Sequence, residues 1–208
     1  IMGATLTGAG WLVDEINRAV PRTQSSLLES MEERQATVDG QTFPLPSPFM
    51  VMATQNPIEM EGTFPLPEAQ LDRFLLKVDM GYPSAEEEEK IIQTHGKNTA
   101  LSKIENVVSG DDILSWQDDA AEIFVHPSLT AYIISLVRAS REHPAVELGA
   151  SPRGSLALFK TSKALAFIRE RAYVIPDDVK YLAPYVLAHR LLLHREERYR
   201  GNTGAAVV

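Results

Sequence analysis

The chain has 208 residues, 44% of them hydrophobic and 23% charged, with 28 acids against 20 bases and a formal charge of −8. Such a composition suits a soluble globular protein of one large or two small domains, and its acidity argues against a generally basic nucleic-acid-binding surface. Without cysteine there is no disulfide framework or thiolate site, and no apolar run is long enough to span a membrane or resembles a signal peptide, so a cytoplasmic location is expected.

Residues 1–10 hold Gly3, Gly8 and Gly10 but no lysine, and G-x-x-x-x-G-K-[ST] occurs nowhere in the chain. Trp11, Leu12 and Val13 form a short apolar run that stops at the adjacent acids Asp14 and Glu15. A helix over residues 21–34 is predicted next, with Pro21 in its first turn and Leu27, Leu28 and Met31 as its apolar stripe. A buried strand, a turn and a helix place the two acids at a strand's C-terminal edge, where open α/β sheets bind ligands. One carboxylate there can hold a hydrated Mg²⁺ and the other can orient a water. The acidic face of the helix, with Glu29, Glu32 and Glu33, reads as solvated surface or as a subunit contact.

The period then changes. Residues 35–43 read as two strands around the Asp39-Gly40 turn. Residues 49–54 form an unbroken apolar run, expected to be a strand buried on both faces. It ends at Gln55-Asn56-Pro57, which brings an amide near the acids. A short helix is expected over residues 67–74, with Pro67 in its first turn, and a third strand over residues 75–80. Ser84 and Glu87 form a capping-box pair, and from there the periodicity is helical. Helices are expected over residues 86–97, from about 109, 127–141, 155–170 and 176–187, with a brief extended segment at 104–108 and a loop at 148–154. Leu156, Phe159, Leu165 and Ile168 are the expected inward side of the helix over 155–170. The chain divides accordingly into residues 1–82, an α/β segment with a hairpin, residues 83–200, a helical domain, and residues 201–208, a flexible tail. The five histidines make no metal-ligand pattern.

Taken in order, these segments resemble the MoxR family of AAA+ ATPases. Leu12-Val13-Asp14-Glu15-Ile16-Asn17-Arg18 is similar to that family's Walker B segment, residues 24–35 to its following helix, and Val38-Asp39-Gly40 to its pre-sensor hairpin. Ala53-Thr54-Gln55-Asn56-Pro57 matches its sensor-1 segment. Residues 61–74, Glu-Gly-Thr-Phe-Pro-Leu-Pro-Glu-Ala-Gln-Leu-Asp-Arg-Phe, match the stretch carrying its arginine finger. Gly149-Ala150-Ser151-Pro152-Arg153 looks like its sensor-2 segment. The likeness covers residues 11–198.

The resemblance implies a partial P-loop AAA+ core, a parallel sheet with a hairpin insert, followed by an all-helical lid domain. It implies that Asp14 coordinates Mg²⁺, mainly through water, that Glu15 polarises the hydrolytic water, and that Asn56 links that water to the γ-phosphate of ATP. Arg73 would act in trans on the neighbouring subunit's nucleotide, and Arg153 would touch the same nucleotide from the lid. Arg18 lies in the matched segment too, and its role at a subunit interface stays open. The expected protein is a hexameric, Mg-dependent ATP hydrolase that remodels or matures a client complex, in some cases with a von Willebrand factor A domain protein. Without the phosphate-cradling loop, these 208 residues alone are expected to bind ATP weakly and hydrolyse it negligibly. Two other readings are a non-catalytic lid and subunit-interaction module, or degenerate regulatory subunit, and a DNA-processing motor of the same superfamily, which the acidity disfavours.

Overall fold

The computed structural model describes residues 10–38, 40–56, 62–95 and 106–208. The first part holds β1 (Gly10–Val13), a 3-10 turn at Ile16–Arg18, α1 (Pro21–Glu33), the strands β2 (Gln35–Val38) and β3 (Gln41–Pro44), β4 (Met50–Ala53) and the short α2 (Glu68–Leu71). β1 and β4 pair in parallel, and β2 and β3 pair as an antiparallel hairpin around Gly40, whose φ of 78° suits glycine. Ile16, Leu28 and Leu66 are buried together against Val13, Met31, Ala53 and Phe74, which fixes α1 beside the strand ends. A buried amide completes that joint: Gln24 Nε2 donates to Ile16 O at 3.1 Å and to Phe64 O at 2.9 Å.

The second part holds α3 (Ala85–His95), α4 (Gly110–Glu122), α5 (Pro127–Glu142), β5 (Val146–Leu148), α6 (Pro152–Ile168), α7 (Pro176–Leu187), β6 (Leu192–Leu193), α8 (Arg195–Tyr199) and α9 (Gly204–Val207). Its core runs through Leu129, Ile133 and Val137 of α5, Ala157, Leu158 and Ala166 of α6, and Val179, Val186 and Leu187 of α7. The Ser84–Glu87 capping box is present, with Ser84 N donating to Glu87 Oε2 at 2.8 Å and Glu87 N to Ser84 Oγ at 3.3 Å.

Several expectations need correction. Residues 75–80 form no strand with the described residues; Lys77 N instead donates to Tyr185 O of α7 at 2.9 Å, which ties the segment to a helix. Met50 and Met52 are more than half exposed, because no described element covers that face of β4. Pro67 is the N-cap of α2, not a first-turn residue. The second domain is not all-helical, since β5 and β6 pair antiparallel. α6 begins at Pro152, which turns the expected loop at Arg153 into a first helical turn. Its inward face differs in part: Phe159 and Leu165 pack against the core as expected, but Leu156 and Ile168 are 53% and 72% exposed, and Leu158 is buried with the small Ala157, Thr161, Ser162 and Ala166. The expected loose tail carries α9, where Thr203 caps the helix and Val208 packs on the core. Residues 106–108 form no strand, and the rest of that expected segment, 104–105, lies outside the described residues, as do Asp39 and Pro57.

Candidate functional site

The parallel register sets Val13 beside Ala53, so the two chains leave the sheet side by side. They stay tied for one more step, with Thr54 N donating to Val13 O at 2.9 Å and Ile16 N to Thr54 O at 3.0 Å. The Thr54 hydroxyl then joins both acids. Its proton goes to Asp14 Oδ1 at 2.6 Å, and its oxygen accepts from Glu15 N at 2.9 Å. One hydroxyl can serve both because it has one proton and two lone pairs. Asn56 lies two residues farther along the same exit.

Glu15 has φ 49° and ψ 55°, a left-handed conformation that costs a non-glycine residue about 1 kcal/mol. The bond from its N–H to Thr54 and the entry into the 3-10 turn hold it there. Its carboxylate meets Arg18 Nε at 2.8 Å. Among the described residues no three metal-ligating side chains converge. A single exposed carboxylate with a hydroxyl beside it still fits Mg²⁺, which keeps most of its waters and takes one or two protein carboxylates together with phosphate oxygens.

A second cluster sits near the other end of α1. Arg73 Nη1 donates to Leu28 O at 3.2 Å and pairs with Glu32 Oε2 at 2.9 Å. Arg153 Nη2 pairs with the other oxygen of the same carboxylate, Glu32 Oε1. Ser151 is the N-cap of α6: its Oγ accepts from Arg153 N at 3.1 Å and donates to Asp72 Oδ2 at 2.8 Å. The other oxygen of Asp72 meets Arg190 Nε at 2.9 Å. Arg190, whose side chain is 2% exposed, also donates to the carbonyls of Asp72, Phe74 and Leu75, so one guanidinium grips the backbone on both sides of Arg73. Glu32, Asp72, Arg73, Arg153, Lys160 and Arg190 line a cleft of about 230 Å³ between α1, the segment after α2, and α6. Beside it His189 is pushed down to about 4, first by burial and then by the charge of Arg190. Its Nε2 lies 3.2 Å from Phe74 O, and its buried Nδ1 has no partner among the described residues.

The structure therefore brings the expected residues together in two sets. Asp14, Glu15 and the strand exit bearing Asn56 form one. Arg73 and Arg153 form the other, and Arg18 joins the first through Glu15. Ile16, the residue after Glu15, packs with Gln24 and Leu28 of α1, whereas the two arginines meet on Glu32 near the end of that helix. Sequence reasoning missed Thr54, Gln24, Glu32, Asp72 and Arg190 as parts of this geometry. Thr54, Gln24, Glu32 and Asp72 lie inside the matched segments but carry no role there, and Glu32 reads only as one acid of a solvent or subunit-contact face.

Residues 4–76 match the family model of the ATPase family associated with various cellular activities (AAA), and residues 138–208 match that of the AAA lid domain. The chain is 50% identical over 191 residues to the Chaperone MoxR1 of Mycobacterium tuberculosis, an alignment covering 88% of this chain and 50% of the relative. It is 30% identical over 199 residues to the Protein MoxR of Methylorubrum extorquens, covering 86% of this chain and 58% of the relative. This chain belongs to the MoxR family of AAA+ ATPases.

Two further likenesses are stronger in coverage. Protein YeaC of Bacillus subtilis is 50% identical over 197 residues, covering 95% of this chain and 62% of the relative. A crystal structure from Cytophaga hutchinsonii, described as a candidate ATPase, superposes with a TM-score of 0.89 at 38% identity, covering 96% of this chain and 63% of that one. The chain thus spans between 50% and 62% of the length of these curated relatives. The two family matches divide as the packing does: the α1 cluster lies within residues 4–76, and most of the helical core lies within residues 138–208. No helix among the described residues is long and apolar enough to cross a membrane.

Proposed function

We propose that this MoxR-family chain supplies half of an ATP site at each of two faces. At one face Asp14 holds Mg²⁺ largely through water, Glu15 takes the proton of the attacking water, and Asn56 orients that water toward the γ-phosphate. At the other face Arg73 and Arg153 reach the nucleotide of the neighbouring subunit. A bound Mg²⁺ would neutralise charge on the phosphate oxygens during transfer. The arginines would stabilise the charge that builds on the transferred group, the larger electrostatic contribution expected in such a site. Arg18 holds the Glu15 carboxylate until nucleotide and water are in place.

The observation that carries this reading is the meeting of Arg73 and Arg153 on one carboxylate, Glu32, while the Thr54 hydroxyl ties Asp14 and Glu15 together at the strand exit. In a ring the two sets face different neighbours. We extend the proposal to a cytoplasmic hexameric ring whose hydrolysis remodels a client protein, in keeping with the chaperone name of the M. tuberculosis relative, with a von Willebrand factor A domain protein as a candidate partner. The 208 residues contain no G-x-x-x-x-G-K-[ST] sequence, and turnover of Mg-ATP by this polypeptide alone is proposed to be negligible.

The test is subunit mixing in the full gene product. E15Q and R73A preparations, each inactive alone, are expected to regain part of the ATPase activity when mixed, since some interfaces then pair an intact Glu15 with an intact Arg73. R153A is expected to be rescued by E15Q in the same way. If the mixtures stay as inactive as their components, the arginines do not work across the interface.

A further inference from the structure

The cleft around Glu32 has an unusual charge arrangement. Asp72 neutralises Arg190, with Oδ1 2.9 Å from Nε. The remaining cations lining the cleft, Arg73, Arg153 and Lys160, share one further acid, Glu32, although Arg153 Nη1 also lies 4.0 Å from Asp72 Oδ2. That carboxylate spends one oxygen on each arginine, so it occupies both guanidinium groups at once. The three side chains are 32% to 50% exposed, so the pairs are open to exchange with a solvent anion. Two oxygens bridging two guanidinium groups are also what a phosphate or a polyphosphate tail presents, with more charge.

We infer that Glu32 is a resident counter-ion which an incoming polyphosphate displaces from Arg73 and Arg153. The inference rests on the assignment of those arginines to a neighbour's nucleotide and adds a device to it. Without a neighbour, Glu32 keeps the arginines paired and holds α6 against α1. When a neighbour's nucleotide enters the cleft, its phosphates replace the carboxylate, Lys160 adds a third cation, and the α1–α6 contact at this point is released. Loading of the interface is thereby coupled to the freedom of the lid helix. The displaced glutamate also sets a threshold, since weakly charged anions cannot compete with it.

Titration calorimetry of inorganic tripolyphosphate into the purified 208-residue chain, at low salt and without metal, tests this directly. E32Q keeps the side chain's shape and is expected to bind about fivefold tighter than the unaltered chain, the scale of two half-exposed ion pairs. E32A should bind tighter to a similar extent, and adding R73A or R153A to E32Q should remove the gain. Equal affinities for E32Q, E32A and the unaltered chain, with weaker binding in R73A and R153A, would overturn the counter-ion role while leaving the arginine assignment standing. Binding that neither R73A nor R153A weakens, or no binding by any variant, would overturn both.

Discussion

Thr54 holds the Asp14 carboxylate with its hydroxyl proton and the Glu15 backbone N–H with its lone pair, so a neutral side chain ties one charged group to the main chain that carries the other. T54V has nearly the same shape and loses both bonds. A hydrogen bond to a charged group is worth about 1.5–3 kcal/mol, and both bonds here are exposed, so T54V is expected to cost about 1–2 kcal/mol in urea unfolding. T54S should restore most of it. An unchanged midpoint for T54V would mean that water replaces the hydroxyl at no cost. Asp14, Glu15, Asn56, Arg73 and Arg153 could be chosen as candidates from the sequence because each sits in a short contiguous run, and such runs keep their order whatever the fold does. Glu32 and Arg190 could not. Their partners Arg153 and Asp72 lie 121 and 118 residues away, far beyond the few positions that helical or strand spacing can relate. Gln24 was hidden differently: an amide on a helix reads as solvent-facing, yet this one is 1% exposed and serves two carbonyls.

Among the elements, α6 shows where periodicity misleads. Of the large apolar residues that suggested one face, Phe159 and Leu165 pack on the core while Leu156 and Ile168 are exposed, and the buried side joins Leu158 to the small Ala157, Thr161, Ser162 and Ala166. The hydrophobic pattern measures what a helix would like to bury, whereas the neighbour's shape decides what it does bury. The end of α6 was equally unreadable. Arg171 N donates to Ala166 O at 2.9 Å and Glu170 N to Phe167 O at 2.8 Å, a Schellman motif, with Glu170 at φ 54° in the position that usually holds glycine. Nothing in the sequence marks that stop, because its glycine is missing. E170G relieves the left-handed strain at the cost of a looser unfolded chain. A net gain of about 0.5–1 kcal/mol is expected in thermal unfolding. A loss of stability would show that the Glu170 side chain contributes more than its backbone costs. By contrast, the hairpin of β2 and β3, α5 and α7 follow their sequence signals closely, since a tight turn and proline starts are local chemistry.

Over the whole molecule, two packing clusters meet through the residues that flank Arg73, and the joint is sensitive to acid. His189, beside Arg190, is held near 4 against 6.5 in an unfolded chain. The folded state therefore favours the neutral ring, and between these values the unfolded state binds more protons. Stability from this group is complete above pH 6.5 and is lost as pH falls toward 4, by at most about 3 kcal/mol. H189Q should flatten the pH dependence of the urea midpoint across that window; an identical slope in both proteins would place the acid sensitivity elsewhere. The fold class was legible at this scale and the joint was not, because a contact between residues 72–77 and 185–190 leaves no mark in either stretch alone. The same joint has a consequence for the newborn chain. At the ~5–20 residues per second of protein synthesis, Asp72 is made about 6–24 s before its Arg190 partner. Through that interval the segment that presents Arg73 is held from α1 alone, by Glu32 and Leu28 O, and the grip on its backbone waits for Arg190.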